Sequence, residues 1–235
     1  MGPGCVITGA SSGIGREVAK LFLRRGFKVF GLSRWKGRPP IEHENFIPIT
    51  CDLKRVDEVE GVARELLARE KGLSVLVNNA GLGAFGPHDA VSKDAISAMV
   101  NVNLTSPMLL TQKFLGRLRA RRGHLVFISS VTAMGPSPMG ATYGATKAAI
   151  RHFAQSIFEE NRRSGLKVHT ILPDLTATPF FDSLFFGPCL DDPETYLLSA
   201  DIAEAVEFAV FTARDPVVVQ EIVVRPRRFR IEKKG

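Results

Sequence analysis

The sequence predicts an α/β fold, a doubly wound parallel sheet of about seven strands with helices on both faces. Three observations carry that reading. Short apolar, β-branched runs alternate along the chain with longer amphipathic stretches. The apolar runs are continuous, as strands covered on both faces are. No repeat or low-complexity linker interrupts the pattern, so residues 1–235 read as one domain, with a basic tail over 225–235.

Cys5-Val6-Ile7 reads as the first strand. Gly13 to Arg25 follows as a helix with Ile14, Val18, Leu21 and Phe22 on one face, and Gly26 ends it. Lys28 to Leu32 is the second strand and Phe46 to Thr50 the third. Between them, Pro39, Pro40 and Gly37 leave room for a loop or one short turn instead of a crossover helix. Val56 to Ala68 is a helix and Val75-Leu76-Val77 a fourth strand. A long helix runs from about Lys93 to Arg122, bent at Pro107. Leu125 to Ile128 is the fifth strand, Tyr143 to Arg163 a helix and Val168 to Leu172 the sixth strand. Ala200 to Thr212 is the last helix and Val217 to Val224 the last strand.

Composition excludes several classes. Hydrophobic residues make up 45% and charged residues 23%, which fits neither disorder nor collagen. No apolar run reaches the ~18 residues of a membrane span. The first residues match neither a signal peptide nor a myristoylation site. Cys5, Cys51 and Cys189 are three, far apart and without a CxxC pair, so neither disulfides nor zinc are expected and a reducing cytoplasm is. The net charge of +7 is mostly local: the last eleven residues carry +5, the rest +2. That balance reads as a solvated tail, not a nucleic-acid face. The five histidines show no metal spacing.

The chemistry lies at strand ends. Thr8-Gly9-Ala10-Ser11-Ser12-Gly13-Ile14-Gly15 joins a strand to a helix, where glycines and free N–H groups suit a pyrophosphate. Where an NAD-binding chain carries an acid, the second strand ends in Ser33-Arg34, with Lys36 and Arg38 nearby. These suit a 2′-phosphate or are a solvated basic loop. Trp35 could stack near an adenine. Asn78-Asn79-Ala80-Gly81 suits a ligand crevice or an Asn-rich turn. Tyr143 and Lys147 are four apart on one helix face. The ammonium is expected to lower the phenol pKa and make Tyr143 a general acid or base. Ser130, ending the fifth strand, can hold the reacting oxygen. Asn103 is polar inside the long helix.

These motifs, in this order, resemble the short-chain dehydrogenase/reductase family over nearly the whole chain. Thr8 to Gly15 matches its TGxxxGxG, Asn78 to Gly81 its NNAG, and Asn103, Ser130, Tyr143 and Lys147 its tetrad. Asp52 matches the acid at the adenine end. The resemblance implies a Rossmann-type domain and NAD(P)-linked carbonyl or alcohol redox chemistry. Tyr143 would donate the proton, Ser130 fix the substrate oxygen, Lys147 bind the nicotinamide ribose, and Asn103 support a water relay. NADP(H) would lie along Gly9, Ser11, Ser12, Gly13, Ile14, Ser33, Arg34, Asp52, Leu53, Asn79, Ala80, Gly81, Tyr143, Lys147, Pro173, Thr176 and Thr178. The substrate would be a small apolar ketone, aldehyde or secondary alcohol, or a 3-oxoacyl carrier protein. A non-catalytic NADP(H) sensor is the alternative, against which the intact tetrad argues. The family implies a homodimer or homotetramer with neither membrane nor nucleic-acid partner.

Three features stay open. Asp174 replaces the glycine the family places after Pro173, and its side chain disfavours the conformations that only a glycine adopts freely. The stretch Phe180 to Pro188 is a substrate lid, core packing or a subunit contact. Arg117, Arg119, Arg121 and Arg122 are favoured cations at a helix end or a docking patch for an acidic carrier protein.

Overall fold

The computed structural model describes residues 2–35, 37 and 41–234. Seven parallel strands form one sheet: β1 (Gly4–Thr8), β2 (Lys28–Ser33), β3 (Phe46–Thr50), β4 (Leu73–Asn78), β5 (His124–Ile128), β6 (Lys167–Pro173) and β8 (Glu221–Val224), in the order β3-β2-β1-β4-β5-β6-β8. The order reverses between β1 and β4, which opens a crevice at the carboxyl ends of those strands. A separate two-stranded ribbon pairs β7 (Phe186–Pro188) with β9 (Ile231–Lys233).

The strands are continuously apolar because side chains alternate between two buried faces. In β1, Cys5 and Ile7 pack with α1 (Gly13–Arg24) and α6 (Ser199–Glu207). Val6 between them faces α2 (Val56–Arg69), α4 (Ser106–Ala120) and α5 (Ala141–Asn161). Pro48 falls in β3, at the edge of the sheet, where its missing N–H breaks no ladder. Burial is deep: Phe22, Phe114 and Phe127 are each below 2% exposed.

Three expected elements differ. The long helix is not simply bent at Pro107. It divides into α3 (Lys93–Val100), a π-turn over Asn101–Thr105 and α4. Pro107 has no N–H for the Asn103 carbonyl four residues back, and the ladder there widens to the 106→101 bond. The last strand begins at Glu221, not Val217. Val217 closes a turn onto Arg214, and the Val219 carbonyl accepts from the His169 ring. The tail is not free in solvent. β9 pairs antiparallel with β7, and Arg227 and Arg228 form ion pairs with Glu194 and Asp192. Residues 34–45 carry no helix among those described, and Lys36, Arg38, Pro39 and Pro40 lie outside the described residues.

The arginines ending α4 have local partners. Arg117 donates to the Glu70 and Leu67 carbonyls, and Arg121 to the Lys71 carbonyl. They satisfy the open carbonyls at the end of α2, the structural use of cations there. Among the described residues no helix is long and apolar enough to cross a membrane, and no group of metal-ligating side chains gathers. The three cysteines are buried and unpaired.

Candidate active site

One cleft of about 1220 Å³ runs across the carboxyl ends of the strands. It exceeds the ~300–1,000 Å³ of a typical single-ligand pocket, leaving room for two molecules. Ser130, Tyr143, Lys147 and the residues expected to line the cofactor, from Gly9 to Thr178, all face it; of the other residues named from the motifs, Thr8, Ala10, Gly15, Trp35 and Asn78 do not line it, and Asn103 lies behind the wall at 2% exposure.

At the nucleotide end, the β1–α1 turn is built by close approach. Gly9 takes φ +70, and a Cβ on Gly15 would collide with the Gly9 carbonyl oxygen and the Asn79 amide. Ser12 is extended and makes no side-chain cap bond, so the first-turn N–H groups of α1 remain available to an anion. Thr178 closes over Gly13. Asn79 is a brace as much as a wall. Its amide donates to Thr8 and Gly9 carbonyls, and its N–H and that of Ala80 share the Thr8 hydroxyl at 3.0 Å.

At the adenine end, the Ser33 hydroxyl donates to Ser11 at 2.8 Å, and Arg34 is exposed on the rim. Asp52 sits across from them, its carboxylate accepting the Lys54 N–H at 3.0 Å. Leu53 lies beside it, its carbonyl held by Ser106 at 2.6 Å. Trp35 does not line the cleft. Its indole N–H donates to the Gly31 and Ile49 carbonyls, and its ring meets Phe46 edge-on at 6.0 Å. It anchors the loop to the sheet and is not placed to stack on an adenine. The tight glycine turn and the free helix end together fit a dinucleotide, with Arg34 on the rim at its adenine end.

At the reactive end, α5 brings Tyr143 and Lys147 under β5. The Lys147 ammonium donates to the Ile128 carbonyl at 2.9 Å and lies 5.7 Å from the centre of the Tyr143 ring. Burial pushes the Tyr143 phenol up to about 12, opposed by its hydrogen bond with Ser130. Burial brings Lys147 down to about 8. The expected lowering of the phenol pKa by Lys147 is not seen: burial and the opposing Ser130 hydrogen bond set the shift, and the ammonium is not among its causes. The result is a phenol that holds its proton at neutral pH beside an amine that titrates easily.

Asn103 is fully used as a side chain. Its Oδ1 accepts the Leu82 N–H at 2.8 Å, and its amide donates to the Leu82 carbonyl at 2.8 Å and the Thr146 hydroxyl at 3.0 Å. It pins the loop after β4 to α5. Asp174 needs no glycine geometry. Among the described residues only Arg122 and Met139 combine a side chain with positive φ. Its Oδ1 accepts the Leu175 N–H, and its own N–H joins Val224 of β8. Thr176 folds back to the Asp174 carbonyl at 2.9 Å.

The sequence did not point to Phe85 as part of the site. It meets Tyr143 at 5.2 Å, Phe180 at 6.4 Å and Phe186 at 5.0 Å between ring centres. Phe85 and Phe180 pack on the phenol ring, and Phe181 and Phe186 back them as an outer layer of the cage. Also missed were Arg225, Phe229, Ile231 and Lys233, which line the far wall. The apolar-polar alternation of Phe229 to Lys233 is the signal that could have found them.

The fold, the switch-point cleft and the Ser130–Tyr143–Lys147 cluster define an oxidoreductase of the short-chain dehydrogenase type. The chain belongs to that family, whose model, short chain dehydrogenase, matches residues 4–186. An uncharacterized oxidoreductase of Staphylococcus epidermidis is 29% identical over 226 residues, 94% of this chain and 96% of that one. The very-long-chain 3-oxoacyl-CoA reductase of Anas platyrhynchos is 32% identical over 218 residues, 85% of this chain and 69% of its own. The alcohol dehydrogenase of the archaeon Thermococcus sibiricus, solved with 5-hydroxy-NADP, superposes with a TM-score of 0.83 at 26% identity, covering 96% of this chain and 97% of that one.

Proposed function

We propose that the chain is an NADP(H)-dependent oxidoreductase that transfers hydride between the nicotinamide and an apolar ketone, aldehyde or secondary alcohol, with Tyr143 handling the proton. The observation that carries this reading is the caged, proton-bearing Tyr143 beside Ser130 and Lys147, in the same cleft as the phosphate-accepting turn. Gly9, Ser11, Ser12, Gly13 and Ile14 would hold the pyrophosphate. Ser33 and Arg34 would hold the 2′-phosphate, and Lys147, Thr176 and Thr178 the nicotinamide half.

NADPH held by these residues would supply the hydride equivalent for the carbonyl carbon. Tyr143 gives its Oη proton to the carbonyl oxygen as that oxygen gains charge, and the product is the alcohol. Ser130 holds the same oxygen by hydrogen bond and fixes its distance from the phenol. Lys147 supplies positive charge under the phenolate that remains. The phenol is reprotonated from solvent past Lys147, with the main-chain carbonyl of Asn103, which Pro107 leaves without its usual donor, as the acceptor along that route. The Phe85, Phe180 and Phe186 rings exclude water and favour an apolar substituent.

The test is NADPH and NADH oxidation by the purified chain against a panel of ketones and aldehydes. The reading expects consumption of NADPH with an apolar carbonyl compound and stoichiometric alcohol. Binding of NADPH without consumption across the panel would favour a sensor instead.

A further inference from the structure

The C-terminal segment is bolted to the stretch over residues 180–188 and the loop after it at several points. β9 pairs with β7 through Phe186↔Lys233, Gly187↔Glu232 and Pro188↔Ile231. The Lys234 N–H donates to the Phe185 carbonyl at 2.8 Å, and its ammonium to the Phe181 carbonyl. Arg228 reaches Asp192 at 2.8 Å and Glu194 at 3.1 Å, and its N–H meets the Glu194 carbonyl at 2.9 Å. These contacts fix β7, whose Phe186 packs on Phe85, which in turn packs on Tyr143. A mechanical line therefore runs from the tail to the reacting phenol.

The segment also faces the cleft itself. Phe229 and Ile231 continue the apolar wall beyond the phenylalanine cage, and Arg225 and Lys233 add charge to it. Among the described residues, neither of those two cations has an ion-pair partner. Asp174 is the acid that lines this end of the cleft, and it pairs with neither; its Oδ1 is occupied by the Leu175 N–H. Next to Tyr143 the cleft offers the Phe85 and Phe180 rings and uncharged hydroxyls such as Ser130 and Ser137, with no cation but Lys147 among the described residues. At the outer wall it offers cations with no acid assigned to them.

We infer that residues 225–234 are a specificity-determining wall of the substrate site, and that the preferred substrate has an apolar body next to its carbonyl and an anionic group at its far end. This rests on the carbonyl-reductase reading above. The apolar body fills the cage of Phe85, Phe180 and Phe186, and the anion reaches Arg225 and Lys233. A carboxylate and a phosphate-bearing thioester share that chemistry.

The probes are a methyl-ketone fatty acid, its methyl ester, and the coenzyme A thioester of an oxo fatty acid. KM and kcat are measured for each, together with binding of the acid and the ester to the NADPH-loaded protein. The wall predicts an acid KM about tenfold below that of the ester, falling with added salt. In Arg225→Gln/Lys233→Gln the ratio drops to about one. If the thioester outperforms the acid and loses that advantage in the double variant, the anion is a phosphate; if the acid leads, it is a carboxylate. Removing residues 227–235 raises KM for acid and ester alike, about tenfold or more, because the cage loses its bolt. The double variant keeps the test decisive if the shortened chain does not fold. Equal KM and equal binding for acid and ester in the unaltered protein would overturn the wall, as would a preference that survives in the double variant. A binding preference without turnover would uphold the wall and sink the hydride-transfer reading.

Discussion

Tyr143 and Lys147 show how one environment sets two pKa values in opposite directions. The same burial that keeps the phenol protonated, at about 12, brings the ammonium down to about 8. Lys147 is charged below that value and neutral above it. For carbonyl reduction, kcat/KM is therefore expected to be level near neutrality and to decline as pH rises through about 8, where the charge under the phenolate is lost. A pH–rate profile without a break between 7 and 9 would contradict that assignment to Lys147. Gly15 is a purely steric case. Gly15→Ala places a methyl against the Gly9 carbonyl and the Asn79 amide. The expected cost is at least ~1–3 kcal/mol, the range for overpacking, read from urea denaturation together with weaker NADPH binding. These residues were legible in the sequence because their roles are local: a turn needs its glycines, and a tyrosine and lysine four apart must share a helix face. The pKa order was not legible, because burial depends on Phe85 and Phe180, which no spacing links to Tyr143.

At the scale of elements, the far end of the sheet carries a buried pair that has no part in the cleft. His124 in β5 and His169 in β6 stack and share a hydrogen bond of 3.0 Å. His169 donates through Nδ1 to the Val219 carbonyl at 2.7 Å, so its bare Nε2 accepts from His124. Burial holds both neutral, His124 down to about 3 and His169 to about 4, with Lys167 adding repulsion. Both values lie below the 6.5 of a free imidazole. Between about 4 and 6.5 the unfolded chain binds the extra protons, so stability rises with pH there and is lost on acidification. The slope of Tm against pH over that window should fall to about half in His124→Phe; an unchanged slope would assign the acid sensitivity elsewhere. The strands themselves were legible as apolar runs. The π-turn at Asn101–Thr105 was not, since a proline announces a break without saying how the ladder closes around it.

At the scale of the molecule, the two ends of the cleft make separate choices. In the proposed function the Ser33-Arg34 end would select the nucleotide. Arg34→Ala is expected to weaken NADPH about tenfold or more, the scale of a charged hydrogen bond at ~1.5–3 kcal/mol, and to leave NADH nearly unchanged. Adding Ser33→Asp should reverse the preference by repulsion. Equal affinity of the unaltered chain for both cofactors would place that rim in solvent. The opposite end is closed by the ribbon of β7 and β9. Composition alone read that segment as a solvated tail, because its charge dominates the count, the alternation from Phe229 to Lys233 is short, and the ion pairs that hold it reach back more than thirty positions.

The proposed chemistry turns on one hydroxyl, that of Tyr143. Single-turnover kinetics of Tyr143→Phe, with NADPH and a carbonyl substrate that the unaltered chain reduces, test it most directly when the NADPH dissociation constant is measured on the same preparation. Losing a positioned general acid is expected to slow hydride transfer by ~10²–10⁴-fold, with NADPH affinity within about twofold, since the ring and its packing remain. Hydride transfer at the unaltered rate by Tyr143→Phe would contradict the mechanism outright.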